Sequence, residues 1–457
     1  MSPTMDPPRA LEEKGAHGSE KTTVSVIGCE RIGILHACLL AEAGFRVLCV
    51  DYDRALIEQI SKGRAPFLNQ EIEPILQKGL ENKKIQVSCS LEEAAGNEII
   101  LVSTAVKVNE RGAVDYSDIE RTFKKVGSHL RKNALVINVS TVGIGVNEGI
   151  IRETIENASG FKVGEDVYFA YCPVPLPEKQ TLRSLANCRR IVAAQDKASL
   201  EKASNIMAAI TRAGFAKSLD LKAAEAAVLF ETLCRNVDSA LANEFAAFCE
   251  KIGVDYLSAQ SLVFTSVGRF SQLAWDSFGG EKALPLLFEA AETQNVKLKI
   301  SQTALELSKE MARRIVSLVQ DALKSCGKSI RRAKIAVLGA SQTPNVADVP
   351  KSSLKDFVKM LERKGAKPSI YDPYLSQKVI DLEPQLIKEN LMEALEGVDC
   401  IVIFTGHEQF KRLNLRKIKL LANMPTALVD FERLLEPAKV EAEGFVYRGL
   451  GRGVWKK

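Results

Sequence analysis

Histidine is scarce in this chain, with four among 457 residues, and the ten cysteines never fall into a Cys-x-x-Cys pair. Without that ligand density or spacing, neither a metal site nor a disulfide framework is expected, and the thiols point to a reducing, cytoplasmic setting. An excess of one charge is lacking as well. The 62 basic and 57 acidic residues nearly cancel to a formal +5, and there is no long Lys/Arg run. That excludes the electrostatic footprint of a nucleic-acid binder or of a lipid surface. The opening stretch, residues 1–21, is polar and rich in Pro, Gly and charge, with no apolar segment suited to a signal peptide or a membrane span. It is expected to be a disordered tail.

What remains is an ordinary globular composition, 46% hydrophobic and 26% charged, long enough for several domains around large cores. From Thr22 onward short β-rich runs alternate with helical ones: TVSVIG, GILHACLLAEAG, RVLCVD, then EIILVST, ALVINVST and VYFAYCP. Strands separated by helices predict a parallel sheet covered on both faces. Between about Asp220 and Gly327 the strand signals vanish and apolar positions follow a helical period. At Lys334 a second strand-turn pattern begins with KIAVLGAS, followed by LKDFVKMLERKG, PSIYDP, CIVIFTG and ALVD. The predicted fold class is α/β, two Rossmann-like parallel-sheet domains joined by a central helical domain. The expected boundaries are 22–218 for the dinucleotide-binding domain, 219–327 for a helical dimerisation domain and 328–457 for a C-terminal α/β domain.

The first strand runs into Gly28-Cys29-Glu30-Arg31-Ile32-Gly33, a G-x-G-x-x-G spacing that keeps its first and last glycine. The first glycine permits the tight turn, the second lets backbone approach a pyrophosphate, and the third lets helix and strand pack closely. Asp51, 23 residues after Gly28, ends the next strand where it can accept bonds from an adenosine ribose. These residues form the candidate site for NAD. The departure is Glu30, whose carboxylate brings bulk and negative charge to the position of close approach and opposes the favourable field of the helix N-terminus. Two outcomes are open: the loop bends Glu30 toward solvent and NAD still binds, or NAD binding is weakened or lost.

Together with further stretches these features resemble the nucleotide-sugar 6-dehydrogenase family, which includes UDP-glucose, UDP-N-acetylmannosamine and GDP-mannose dehydrogenases. Val102-Ser103-Thr104-Ala105 is similar to the family's V-P-T-P, and Ser140-Thr141-Val142-Gly143 to its S-T-V element. Tyr171-Cys172-Pro173-Val174-Pro175-Leu176-Pro177, with Arg190-Ile191-Val192 downstream, resembles C-P-E-R-x-x-P-G ending in R-I-V. Ala224-Glu225 and Ala242-Asn243-Glu244 match the ends of the long dimerisation helix, and Val337-Leu338-Gly339, Asp348-Val349, Tyr371-Asp372-Pro373 and Thr405-Gly406-His407 match the last domain. The resemblance implies two successive NAD-dependent hydride transfers that convert a sugar's C6 alcohol to a carboxylate through a cysteine thioester. It adds Thr104, Ser140 and Thr141 to the cofactor site, and it implies a nucleotide sugar, UDP-linked, as ligand.

The catalytic set that the family uses is largely missing. The cysteine loop G-G-x-C-x-P-x-D corresponds to Gly279-Gly280-Glu281-Lys282-Ala283-Leu284-Pro285-Leu286-Leu287, one residue longer, so Lys282 or Ala283 takes the nucleophile's position and Leu287 the aspartate's. The lysine of A-E-x-x-K falls on Val228, its following asparagine on Thr232, and the glutamate of C-P-E on Val174. In the last domain, D-D-V-R-E-S becomes Ala347-Asp348-Val349-Pro350-Lys351-Ser352, and the Y-K-P lysine becomes Thr343. Cys234 and Cys172 read as core or helix-face thiols rather than substitutes. Lys282 reads as a solvated loop charge, and His407 as the residue that orders a strand-end turn. Groups that act as a unit lose most of the rate enhancement when one is removed. The sequence therefore predicts a divergent homologue that no longer performs the four-electron oxidation and serves as a nucleotide-sugar-binding, regulatory or structural subunit. The alternative is an NAD-dependent oxidoreductase acting on the CH–OH group of a UDP-sugar with altered catalytic residues. A homodimer, or a hetero-oligomer with an active relative, is expected, without nucleic acid or membrane.

Overall fold

A computed structural model describes residues 22–65, 72–109, 112–174, 182–262, 280–347, 350–375, 380 and 382–452, with backbone alone at 280–283, 308, 309, 312 and 352. The predicted tail and the stretches 175–181 and 348–349 lie outside the described residues.

Ten strands occupy the first half: β1 Thr23–Ile27, β2 Arg46–Val50, β3 Ile85–Ser88, β4 Ile99–Val102, the small pair β5 Lys107–Val108 and β6 Val114–Asp115, β7 Leu135–Asn138, β8 Tyr168–Tyr171, β9 Arg190–Ala193 and β10 Phe215–Ser218. Eight of them form one sheet in the order β10-β9-β8-β7-β4-β1-β2-β3. The strand centres are almost wholly buried, as befits near-continuous Val/Ile/Leu runs covered on both faces. The sheet is parallel except between β8 and β9, which touch antiparallel at Tyr171 and Ala193. Strand order reverses between β1 and β4, and the crevice outside that switch point is where such sheets hold ligands.

The middle of the chain is helical, as its period predicts. The 32-residue helix Leu221–Ile252 begins with the Asp220 carboxylate accepting from Ala223 N and ends at Gly253, which adopts φ 72° and returns its N–H to Cys249 O. The helix Lys299–Ser325 packs against it and against the last sheet. That sheet, β11 Lys334–Leu338, β12 Lys367–Tyr371, β13 Cys400–Ile403, β14 Ala427–Asp430 and β15 Val446–Gly449, is parallel throughout in the order β12-β11-β13-β14-β15. Among the described residues no helix is long and apolar enough to cross a membrane.

One expectation is corrected. The stretch from Gly280, read as a loop, is the helix Gly280–Thr293 with Pro285 inside it. Its Leu284, Leu286 and Leu287 are buried, and the gain from removing three leucines from water outweighs the breaker character of one proline near the helix start.

Candidate functional site

The glycine turn is built by contact. Gly28 has φ +88°, and a Cβ on it would stand 2.5 Å from Ser103 O; a Cβ on Gly33 would stand 1.8 Å from Gly28 O. Neither position admits a side chain, so strand β1, the turn and the helix Arg31–Glu42 meet as the motif requires. Asp51 closes the turn: its Oδ2 accepts from Cys29 N at 2.7 Å and its Oδ1 from Asp53 N at 3.0 Å. Each carboxylate oxygen has a second lone pair left for a ligand hydroxyl.

A cleft of about 780 Å³ opens beside the turn, bordered by Gly28, Glu30, Asp51, Tyr52, Thr104 and Arg121 among others. That volume lies within the range of small-molecule and cofactor sites. Of the predicted cofactor residues, Gly28, Glu30, Asp51 and Thr104 meet here. Cys29 is wholly buried, and burial together with Cys49 raises its thiol well above the ordinary range. Ile32 packs against the core below the turn. Ser140 and Thr141 follow β7 and do not line this cleft. Two residues that sequence reasoning passed over stand out. Tyr52 adjoins Asp51 directly, and its ring lies 5.6 Å from the Arg121 guanidinium carbon and 5.2 Å from Lys125 Nζ, a cation–π shelf at the cleft wall. Proximity to Asp51 was the available signal for Tyr52; nothing in the sequence marks Arg121.

The cleft is acidic. Among the described residues that border it are Glu30, Asp51, Asp53, Asp115 and Asp118 against Lys107 and Arg121, and both cations are held by Asp118, Lys107 at 2.5 Å. Glu30 is the N-cap of its helix, with φ −66° and ψ −172°; its carbonyl accepts from Ile34 N, while its exposed side chain makes no cap bond. Glu30 is thus an exposed residue on the border of the cleft, and the turn is formed with it in place.

Behind the S-T-V element lies a polar knot. Glu225 Oε1 accepts from Asn147 N and Nδ2, both at 2.8 Å, and Oε2 accepts from Gly145 N at 2.5 Å. Burial raises this carboxyl and the N–H donors only partly offset it. A Cβ on Gly143 would stand 2.3 Å from Tyr116 Oη, and that hydroxyl donates to Glu289 Oε2 at 2.9 Å. The helix Gly280–Thr293 is thereby tied to the segment that follows β6.

The residues that the sequence reading set against the family's catalytic groups are enclosed where their side chains are described. Val174, Val228, Thr232 and Leu287 are all buried, and the Thr232 hydroxyl donates to Val228 O in its own helix. Leu286 and Leu287 share a core with Val142, Val146, Ala224 and Leu229. The side chains of Lys282 and Ala283 lie outside the described residues. Cys172 is wholly buried, and burial pushes its thiol up to about 12 despite the nearby Arg190 charge; Cys234 is exposed on the long helix. All ten cysteines are free thiols.

The second sheet repeats the device of the first. Gly339 has φ +89°, and a Cβ on it would lie 2.6 Å from the Thr405 side chain. Asp372 Oδ2 accepts from Ala340 N at 2.6 Å and Ser341 N at 2.9 Å, as Asp51 does in the first turn. His407 lies between: its Nδ1 accepts from Asn345 N at 2.8 Å, so Nε2 carries the hydrogen and faces Asp372 Oδ2 at 3.0 Å. His407 thus orders the loop, as expected for a strand-end residue. Desolvation tends to raise the Asp372 carboxyl, but His407 and the two backbone donors hold it well below the ordinary carboxylate range. Lys351 is buried, with Nζ 3.0 Å from both Phe404 O and Glu432 Oε1. Across the molecule, Arg31 Nη2 donates to Thr343 Oγ1 at 3.3 Å.

Comparison with known proteins agrees with this architecture. Residues 22–211 match the NAD binding domain of the UDP-glucose/GDP-mannose dehydrogenase family, and residues 336–437 match its UDP binding domain. The chain is 28% identical over 450 residues to a UDP-N-acetyl-D-mannosamine dehydrogenase of Methanococcus maripaludis, covering 97% of this chain and 100% of that one. It is 24% identical to a UDP-glucose 6-dehydrogenase of Bacillus subtilis, over 94% and 93%. Among solved structures, the UDP-D-ManNAc dehydrogenase of Pyrococcus horikoshii superposes with a TM-score of 0.84 at 25% identity, covering 95% of this chain and all of that one.

Proposed function

Because the chain belongs to the UDP-glucose/GDP-mannose dehydrogenase family, with its NAD-binding and UDP-binding domains, we propose that it is an NAD-dependent oxidoreductase taking one CH–OH group of a UDP-sugar through a single two-electron step. The observation that carries this reading is the open cleft at the switch point, with both sterically required glycines and Asp51 in position. NAD would supply the hydride acceptor. Asp51 would hold the adenosine ribose through its remaining lone pairs, and Thr104 lines the adjoining wall. Glu30 stands against the diphosphate and lowers affinity without closing the cleft.

The reaction stops at two electrons for want of a thiol. Transfer of the carbon's hydride to NAD and release of the hydroxyl proton to water would leave a carbonyl. The covalent sulfur adduct that would present a second hydride lacks a donor at the cleft, since among the described residues no cysteine lines it, the exposed Cys89 and Cys234 lie elsewhere, and Cys172 is enclosed with its thiol up at about 12. A second reading, a non-catalytic nucleotide-sugar-binding or regulatory subunit, is favoured by one specific observation: Val174, Val228, Thr232 and Leu287 are buried where the family keeps polar catalytic groups. The proposal further includes a cytoplasmic setting and assembly through the long helix, as a homodimer or with an active relative.

Incubating the pure protein with NAD and a panel of UDP-sugars, while following reduced cofactor and sugar product, tests both readings. The proposal expects one NADH per sugar consumed and a carbonyl that hydroxylamine traps. Two NADH per sugar would restore the four-electron reaction. No NADH, with calorimetric binding of a UDP-sugar, would transfer the assignment to the second reading.

A further inference from the structure

We propose that Arg31, on the cofactor turn of the first domain, is the residue that binds the diphosphate of the nucleotide sugar in the last domain. The inference rests on the reading of the chain as a nucleotide-sugar protein and deepens it by naming how the sugar nucleotide is held.

The second glycine loop has lost its own cations. Residues 339–347 and 350–352 contain a single basic side chain, Lys351. Lys351 is turned inward, with Nζ 3.0 Å from Phe404 O and 3.0 Å from Glu432 Oε1, and it is buried. A buried ammonium already paired with a carboxylate offers little to a ligand outside. Thr343 holds the position where the family pattern has the Y-K-P lysine, and Pro350 the position of its arginine. Three of the loop's backbone N–H groups are already engaged, those of Ala340 and Ser341 by Asp372 and that of Asn345 by His407. The loop by itself thus offers a dianionic ligand little positive charge.

The missing charge arrives from the other domain. Arg31 is the first residue of the glycine-turn helix, and its Nη2 lies 3.3 Å from Thr343 Oγ1, across 312 residues of sequence. A guanidinium thus ends at the side chain that replaced the lysine. Its planar fork presents several donors to phosphate oxygens. Because Arg31 also belongs to the cofactor turn, the two nucleotide sites meet through one residue, and both domains must stand together for the sugar nucleotide to bind.

Calorimetric titration of UDP and, separately, of NAD into the full chain tests this with wild type, Arg31→Ala, Arg31→Lys and the double variant Arg31→Ala with Thr343→Lys. Arg31→Ala is expected to weaken UDP at least about tenfold, Arg31→Lys to retain part of the affinity as a point charge, and the double variant to recover it. NAD affinity should change less than UDP affinity. UDP binding by Arg31→Ala within about twofold of wild type overturns the proposal, as does a loss that Thr343→Lys does not restore. If wild type binds no UDP at all, the nucleotide-sugar reading itself fails, an outcome distinct from both.

Discussion

His36 lies wholly buried on the helix of the glycine turn, with Nδ1 2.8 Å from Ile32 O and Nε2 2.8 Å from Arg190 Nη2. The neutral ring therefore donates at Nδ1 and accepts at Nε2. Burial, and then the Arg190 charge, lower its pKa from 6.5 to about 3. The unfolded chain takes a proton below about 6.5 that the folded one refuses. Stability from this site is full above that pH and is lost as pH falls toward 3, at up to about 1.4 kcal/mol per pH unit. Asp430 acts oppositely: burial raises its carboxyl from 3.8 to about 6, so folding gains as pH falls between those values. The difference between wild type and His36→Gln isolates the histidine. Urea denaturation between roughly pH 7 and 5 should give a flatter profile for the variant; parallel profiles would refute the assignment. None of this was legible from sequence, where His36 is one apolar-face residue among many and its partner lies 154 residues away.

At the scale of elements, the long helix Leu221–Ile252 buries one face and leaves another apolar and exposed. Phe230, Leu241, Phe248 and Ile252 are 52%, 47%, 61% and 54% exposed, and their spacings of 11, 7 and 4 residues fall on one helical stripe. Such an exposed apolar stripe marks an interface, which supports the proposed assembly through this helix. Phe248→Asp should weaken self-association at least about tenfold, read as a lower mass by light scattering with unchanged far-UV circular dichroism. An unchanged mass would remove this helix from the interface. The helix was legible because its period runs unbroken between Asp220 and Gly253. The shorter helix Gly280–Thr293 was not, since Gly280 and Pro285 read locally as breakers, while its leucines gain their burial from the long helix and other segments distant in sequence.

Over the whole molecule, Glu250 joins three parts of the chain. Its Oε1 accepts from Arg314 Nη2 at 2.7 Å and from Gly451 N at 2.8 Å, while Arg314 Nη1 donates to Asn243 O at 2.6 Å. The side chains of Glu250 and Arg314 are largely shielded, at 9% and 21% exposure. Removing the carboxylate would leave the guanidinium and the Gly451 N–H short of their acceptor. Glu250→Ala should cost about 2–4 kcal/mol and split thermal unfolding so that the last domain melts first. A single transition at the wild-type temperature would show that the long helices alone couple the domains.

The sequence by itself determined the α/β class, the alternation of strands and helices, and the glycine turn with Asp51, because these follow from local periods and from conformations that only glycine adopts. The tertiary structure alone decided that β8 and β9 run antiparallel, that Leu286 and Leu287 enter the first domain's core, and that Arg31 reaches Thr343. Each of these depends on contacts between segments far apart in the chain, where burial and charge pairing, rather than local propensity, select the arrangement.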